Sequence, residues 1–275
     1  LPSRYSIAKI IFKMNISKEQ IDNFEKDGAI MIPSLFTKWI NSIKEGIDYN
    51  IDNPSEYGAE NTKKGQKGRF FDDYCNWRRI PQFENIIKNS DARNAAAQLM
   101  GSMNVQFFHD HVLYKSARSE TSTPWHQDGP YYFVKGNMTV SFWIPVDYVP
   151  IESSLRVIKS SHKWSKEVTP TKWLTGEDFY KNKKDYIPVP DPDKNPTKYK
   201  TLQWEMNPGD AIAFHFNAVH GARGNKTNTK RRVLSLRFVG DDARYIERSG
   251  KTSPPFPNHN MRDGQKLRDD WFPFI

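Results

Sequence analysis

The stretch Val-Gln-Phe-Phe-His-Asp-His-Val-Leu-Tyr at residues 105–114 marks a change in the pattern of the chain. Every second residue from Val105 through Phe107, His109 and His111 falls on one face of an extended backbone. The intervening side chains fall on the opposite face. Because a period of two is typical of β-strands, we predict that the β region of the chain begins here.

More strands are predicted downstream of this stretch. A Pro-Gly pair at 208–209 predicts a turn before the fourth of them. The apolar runs with the length and composition of strands are 139–147, 155–158, 202–206, 211–216 and 232–239.

The sequence upstream of residue 105 predicts mainly helices. Ser17 and Gln20 have the spacing of a capping box, and Gly28 provides a stop signal for the helix that follows. Isoleucines at helical spacing predict a second helix at 37–48, and an Ala-rich run predicts a third at 91–100. A short strand through Ile30 and Ile32 is expected between the first two.

Helices first and clustered strands afterwards predict a mainly β fold with flanking helices. A length of 275 residues is compatible with one domain. We therefore predict a single domain over residues 1–275, with a helical part at about 16–101 and a β core at about 105–240.

Composition limits the class of protein and its partners. The chain is 37% hydrophobic and 13% aromatic, which is enough for a sizeable core. Cys75 is its only cysteine, which excludes an internal disulfide and favours a reducing compartment, the cytoplasm. The net charge of +9 predicts a small anionic ligand. The basic residues are scattered among acids, so we expect neither nucleic acid nor a membrane as a partner.

Two polar segments are candidate lids. Residues 53–69 are rich in Gly and Lys, and residues 163–200 form a long insertion rich in Lys and Pro between predicted strands. Long loops between strands often close over binding sites, and a disordered surface loop is the alternative interpretation.

The segment Trp-His-Gln-Asp-Gly-Pro-Tyr-Tyr at 125–132 carries the chemistry. His126 and Asp128 are two residues apart, so on extended backbone they point the same way. Two histidines and one carboxylate on one face of a metal octahedron leave three positions open, which is the arrangement used by non-heme Fe(II) oxygenases.

The third ligand has two candidates. His215 lies within an apolar run that predicts a strand, whereas His220 follows the end of that run. Helix-borne His-Glu-x-x-His, the common pattern of zinc hydrolases, is absent from the sequence.

The set of His126, Asp128, His220 and the trailing Arg231 resembles the phytanoyl-CoA dioxygenase family of Fe(II)- and 2-oxoglutarate-dependent oxygenases. The resemblance covers about residues 16–244 and selects His220 over His215. It implies a double-stranded β-helix, a cupin-like jelly roll, with Fe(II) as cofactor and 2-oxoglutarate and O₂ as cosubstrates.

The resemblance also implies residues that contact the cosubstrate. Arg231, eleven residues after His220, would pair with the far carboxylate of 2-oxoglutarate, although the adjacent Arg232 makes this ambiguous by one residue. By position, further contacts would come from Gln127, Trp143 and His111. Trp143 and His111 have an alternative interpretation as buried core side chains.

This chain departs from the family pattern near the expected pocket. Ser154 precedes Leu155 where relatives usually carry glycine, and Lys159 to His162 replace a Pro-Gly-Ser-His turn. Ala222 stands where a hydroxyl side chain is often found. One hydrogen bond to the cosubstrate would then be missing or supplied by another residue.

The function implied is hydroxylation of a small anionic or zwitterionic metabolite, with release of succinate and CO₂. Asp128 disfavours halogenation, because halogenating relatives replace this carboxylate by a small residue. The alternatives are a non-catalytic binding protein on the same fold and a zinc-type hydrolase.

Overall fold

Four α-helices form within the residues that the computed structural model describes, 16–181 and 185–275. They are α1 Lys18–Asp27, α2 Ile40–Asp52, α3 Pro81–Asn89 and α4 Ala92–Met100. The predicted capping box is confirmed, because the hydroxyl of Ser17 accepts from the backbone N–H of Gln20 at 3.1 Å. Gly28 ends α1 at φ 82°, a conformation that favours glycine.

The strands follow the predicted order. They are β1 Ala29–Ile32, β2 Ala59–Glu60, β3 Phe70–Tyr74, β4 Gln106–Lys115, β5 Thr123–His126, β6 Val134–Lys135, β7 Thr139–Pro145, β8 Leu155–Ile158, β9 Glu167–Val168, β10 Tyr186–Ile187, β11 Thr201–Gln203, β12 Ala211–Phe214, β13 His220–Ala222, β14 Arg231–Val239 and β15 Arg244–Tyr245.

Two antiparallel sheets build the core of the fold. The larger has the order β1-β12-β7-β14-β4-β3-β2, and the smaller has the order β11-β8-β13-β5. Leu113 and Val233 of the larger sheet pack in one cluster with Leu155 and Val157 of the smaller. The predicted mainly β jelly roll with flanking helices is therefore confirmed.

The helices cover the outer face of the larger sheet. Ile43 and Ile47 of α2 and Phe83 of α3 share one apolar cluster with Phe142 of β7 and Leu236 of β14. This leaves the inner face of the larger sheet free to form a site with the smaller sheet. No helix within the described ranges has the length and apolar content needed to cross a membrane.

A β-bulge in β4 changes which side chains reach the inner face. The pairing with β14 passes from Arg237 opposite His109 to Phe238 opposite Phe107, so Phe108 is an extra residue. Phe107 packs with the helices, whereas His109 lines a cavity on the inner face. The prediction that Phe107 and His109 share one face is wrong, because one inserted residue reverses the alternation.

β3 and α3 were not predicted from the sequence. β3 has the polar sequence Phe-Phe-Asp-Asp-Tyr, and both aspartates are buried. They are satisfied by distant partners, since Asp72 pairs with His111 at 2.6 Å and Asp73 accepts from Asn50 at 2.9 Å. Tertiary contacts therefore stabilise a strand that hydrophobic patterning could not indicate.

Candidate active site

Three predicted ligands meet at the junction of the two sheets. His126 at the end of β5 lies directly opposite His220 at the start of β13. One carboxylate oxygen of Asp128, Oδ1, is 3.5 Å from His126 Nε2 and 3.8 Å from His220 Nε2. All three residues are buried, and their candidate ligand atoms lie within 4.8 Å of one another.

The hydrogen bonds of the two imidazoles orient them for a metal ion. Nδ1 of His126 lies 2.8 Å from the carbonyl of Pro124, and Nδ1 of His220 lies 2.9 Å from that of Ala218. A carbonyl oxygen can only accept, so both Nδ1 atoms carry the proton and both Nε2 lone pairs are available. Burial, together with His126, lowers the pKa of His220 to about 3, which keeps it neutral.

The second oxygen of Asp128 is held by a residue that was not predicted. Arg237 Nε donates to Asp128 Oδ2 at 3.2 Å, and Ser141 Oγ lies 3.4 Å from the same oxygen. Burial opposes ionisation of Asp128, but the charge of Arg237 outweighs it and keeps the pKa of Asp128 well below the usual value. A carboxylate with one free oxygen beside two neutral imidazoles fits a divalent transition metal ion.

The rival third ligand lies outside this cluster. His215 Nδ1 accepts from the backbone N–H of Asn217 at 3.0 Å, and its Nε2 lies 2.8 Å from the carbonyl of Asn137. Both of its nitrogens are therefore occupied, and His220 takes the position beside His126 and Asp128.

An inner cavity lies between the two sheets behind the histidines. Arg231 lines it, fully buried, with its guanidinium carbon 5.7 Å from the ring centroid of Trp143. Its Nη1 donates to the carbonyl of Ser153. Within the described residues, no carboxylate pairs with Arg231 and no group hydrogen-bonds its Nε. Burial lowers the pKa of Arg231 to about 10, so it remains a cation that lacks an anionic partner.

Arg232 points the opposite way. It forms ion pairs of 2.7 Å with both Asp147 and Asp48. Because side chains alternate along a strand, only one of the two arginines can face the inner cavity. Arg231 is directed into that cavity, and Arg232 is directed away from it.

An outer cavity of about 340 Å³ opens on the other side of the metal ligands. His126, Asp128 and Arg237 form part of its floor. Aromatic side chains form much of its walls, among them Tyr74, Tyr131, Tyr132, Trp173 and Phe179.

Comparisons with known proteins identify the family of this chain. A model of the family described as Phytanoyl-CoA dioxygenase (PhyH) matches residues 24–233. The chain belongs to the phytanoyl-CoA dioxygenase family. The resemblance recognised in the sequence is therefore confirmed.

The peroxisomal phytanoyl-CoA dioxygenase of Homo sapiens is 27% identical over 153 residues, which cover 54% of this chain and 43% of that protein. The chain spans less than half the length of the curated phytanoyl-CoA dioxygenases that it matches.

Solved structures share the fold. The non-heme alpha ketoglutarate dependent carbocyclase SnoK from nogalamycin biosynthesis has a TM-score of 0.69 and 18% identity, over 95% of this chain and 97% of that chain. EctD from S. alaskensis, with 2-oxoglutarate and 5-hydroxyectoine, has a TM-score of 0.66 and 19% identity, over 92% of this chain and 86% of that chain.

Trp143 and His111 line the inner cavity of this phytanoyl-CoA dioxygenase family member, and Gln127 does not. Gln127 lies between two residues that face the cavities, so alternation directs its side chain away from them. Its Nε2 donates to the carbonyl of Asn217 at 2.6 Å, and its Oε1 accepts from the backbone N–H of Val168 at 2.7 Å. Gln127 therefore lines neither cavity in this structure, and its amide is already paired with two backbone groups.

Gln127 instead attaches the 163–200 insertion to the metal-binding segment. Val168 belongs to β9, which pairs with β10. Tyr131 adds a second attachment, because its hydroxyl donates to the carbonyl of Thr171 at 2.6 Å and accepts from the N–H of Thr171 at 2.8 Å. Trp173, two residues on, places its ring centroid 4.9 Å from that of His126 and lines both cavities.

Replacement of Gln127 by alanine tests this attachment. We expect a loss of about 2 kcal/mol in the free energy of unfolding, because two buried backbone groups lose their partners. Amide hydrogen exchange at Val168 and Thr171 should increase. Urea denaturation and exchange mass spectrometry measure the two effects, and unchanged protection of both amides would contradict the assignment.

Arg237 is the main site residue that the sequence analysis missed. Its only signal in the sequence is a charged residue within the apolar run 233–239, where alternation places it on the same face as Arg231 and Ser235. The backbone pairing of β14 with β4 brings it beside His109 and His111.

Proposed function

We propose that this protein is an Fe(II)- and 2-oxoglutarate-dependent dioxygenase that hydroxylates a small metabolite and releases succinate and CO₂. The observation that carries the proposal is the position of the buried triad His126, Asp128 and His220. The triad faces an inner cavity and an outer cavity. The inner cavity is lined by Arg231, which lacks a carboxylate partner among the described residues, and the outer cavity is large enough for a small molecule.

The three side chains would hold the metal through His126 Nε2, His220 Nε2 and Asp128 Oδ1. When bound, Fe(II) supplies the oxygen chemistry. The part of the chain is to hold the imidazoles in one tautomer and to keep Asp128 ionised. The presence of this carboxylate supports hydroxylation rather than halogenation.

Arg231 would bind the far carboxylate of 2-oxoglutarate. A buried guanidinium without a carboxylate partner gains most from an anionic ligand, and its planar fork matches a carboxylate in two-pronged geometry. Trp143 would form the wall beside it, since the two side chains already lie in contact.

Ser235 would supply the hydroxyl that position 222 lacks. Ala222 lines the inner cavity and offers no hydrogen bond. Ser235 lines the same cavity four residues after Arg231, and its buried Oγ has no partner among the described residues. The departure from the family pattern would thus be offset by a hydroxyl from the other sheet, which lines the same cavity.

The outer cavity would receive the substrate, and the charge of that substrate stays a prediction. Two basic residues of the smaller sheet's β8 and its end are paired elsewhere, since Arg156 pairs with Asp193 at 2.7 Å and Lys159 pairs with Asp27 at 3.2 Å. Neither lines the outer cavity. Lys172 and Arg237 do line it, but they pair with Glu177 at 2.9 Å and with Asp128 at 3.2 Å. The prediction of an anionic or zwitterionic substrate therefore depends on the overall charge of +9.

The extent and location of the enzyme are further parts of the proposal. We propose that residues 1–275 act as one catalytic domain, which is supported within the described residues because both sheets contribute to the same site. The cytoplasmic location stays a prediction from the single cysteine, and the human relative is named as a peroxisomal protein.

An anaerobic titration with Fe(II) and 2-oxoglutarate tests the proposal. We expect a visible metal-to-ligand charge-transfer band that saturates at one 2-oxoglutarate per chain, followed by succinate formation when O₂ and a substrate are added. A colourless mixture at saturating concentrations would contradict the proposal and favour a non-catalytic binding protein. Succinate release across a panel of small metabolites then identifies the substrate.

A matched pair of histidine variants tests the third ligand. We expect His220→Ala to abolish the charge-transfer band, because two ligands from one segment hold Fe(II) weakly. His215→Ala removes an equally buried histidine that lies outside the triad, so the band should persist at the wild-type position. The opposite result would show that His215 binds the metal.

A further inference from the structure

Two buried polar atoms in the outer cavity have no partner among the described residues. They are Nη1 of Arg237 and Nε2 of His109. The residues are 3% and 2% exposed; His109 lines the outer cavity, and Arg237 lines both the outer and the inner cavity. Leaving a buried polar atom without a partner is unfavourable, so two such atoms on residues that share the outer cavity indicate a ligand that satisfies both.

Strand pairing places the two side chains together. Arg237 of β14 lies directly opposite His109 of β4, the pairing just before the β-bulge. Side chains in this relation project from the same face of a sheet, with Cβ atoms about 5 Å apart. The ring of Tyr132 packs against both, 5.2 Å from the imidazole centroid and 6.0 Å from the guanidinium carbon.

One member of this pair donates and the other accepts. His109 Nδ1 is 3.0 Å from the carbonyl of Asp110, which can only accept, so the proton is on Nδ1. Burial, with the charge of Arg237, keeps the pKa of His109 well below its usual value, and the ring is neutral. Its Nε2 is therefore an acceptor, whereas Nη1 of Arg237 is a donor.

We propose that Arg237 and His109 bind the substrate of the proposed oxygenase through a neutral group that both accepts and donates a hydrogen bond, an amide or a hydroxyl. A carboxylate accepts from Arg237 but directs lone pairs at His109. An ammonium group donates to His109 but cannot accept from Arg237 and is repelled by its charge. An alkyl group leaves both atoms unsatisfied.

The charge of Arg237 does not change this selection. Asp128 already balances it through an ion pair of 3.2 Å. Aromatic rings, among them Tyr74, Tyr131 and Trp173, form much of the remaining wall, so the group that Arg237 and His109 bind would be attached to a partly apolar body. This inference rests on the proposed function only in taking the bound molecule to be the substrate.

Four probes that differ in one substituent test the inference: benzamide, benzyl alcohol, benzoate and toluene. Their binding is measured by anaerobic equilibrium dialysis at pH 7.5, with the metal-free protein and with the protein loaded with Fe(II) and 2-oxoglutarate. We expect benzamide or benzyl alcohol to bind roughly tenfold more tightly than benzoate and toluene. Tighter binding of benzoate, equal binding of all four, or no binding of benzamide and benzyl alcohol would overturn the inference.

Variants of His109 identify the acceptor. His109→Leu should remove the advantage of benzamide over toluene, roughly tenfold, whereas His109→Gln should retain much of it because its side-chain oxygen accepts. His215→Leu is the matched control, a buried histidine outside the outer cavity, and should leave all four affinities unchanged. An unchanged preference in folded His109→Leu would overturn the inference.

The two arms of the dialysis separate this inference from the proposed function. Selective binding of benzamide to metal-free protein that gives no charge-transfer band would leave the hydrogen-bonding pair supported and the oxygenase contradicted. A normal charge-transfer band without selectivity among the probes would support the oxygenase and contradict the hydrogen-bonding pair.

Discussion

Asp128→Ala should lower substrate-dependent succinate formation by at least roughly 1,000-fold, because the variant loses the only anionic ligand of the proposed Fe(II) site. The physical reason is that two neutral imidazoles alone neither balance the charge of the ion nor complete one face of its coordination sphere. Succinate is measured in the presence of O₂, and the charge-transfer band is measured without it. Turnover within tenfold of the wild type would contradict the assignment of Asp128.

Folding must be controlled in this experiment, since Asp128 also balances a buried arginine. Alanine at this position leaves Arg237 unpaired, which costs about 3–5 kcal/mol. Asp128→Asn retains an acceptor for Arg237 and is expected to fold with less loss of stability, yet still to lose activity because a neutral amide is a poor ligand. Asp193→Ala, at an aspartate half exposed to solvent that lines neither cavity, is the matched control and should retain activity.

Arg231→Gln should raise the KM for 2-oxoglutarate roughly 100-fold, because the amide cannot pair with a carboxylate through two charged hydrogen bonds. The charge-transfer band should then require a correspondingly higher 2-oxoglutarate concentration. The metal triad is untouched, so the affinity for Fe(II) should stay close to that of the wild type. A titration of the band with each ligand separates the two effects.

Arg232→Gln is the matched control for this variant, one residue along the same strand. Arg232 pairs with Asp48 and Asp147 outside the cavities, so its replacement should lower stability and leave the KM for 2-oxoglutarate within about twofold of the wild type. If Arg232→Gln raised that KM and Arg231→Gln did not, the assignment of the inward-facing arginine would be wrong.

Local patterns predicted the regular elements well, because their signals lie within a few residues. The capping box at Ser17, the stop at Gly28 and the apolar runs of β7 and β14 depend on neighbouring side chains. β3 was missed because its buried aspartates are satisfied by residues far along the chain. Hydrophobic patterning carries no information about such partners.

The same distinction applies to the candidate site. The two-residue spacing of His126 and Asp128 predicted that they share a face, and the family pattern selected His220 rather than His215. The opposite orientations of Arg231 and Arg232 follow from alternation, but which of them faces inward depends on the register of β14. The partners of Gln127 lie far along the chain, at Asn217 and Val168, so no local pattern indicated those contacts of its side chain.

The sequence by itself therefore determined the fold class, the family and the candidate metal ligands, because each depends on spacing along one strand or on a motif. The tertiary structure alone decided which further groups surround them. Arg237 meets Asp128 across 109 residues, and a bulge of one residue brings His109 to the inner face. Such contacts arise from strand pairing between distant segments, and short-range periodicity cannot encode the register of that pairing.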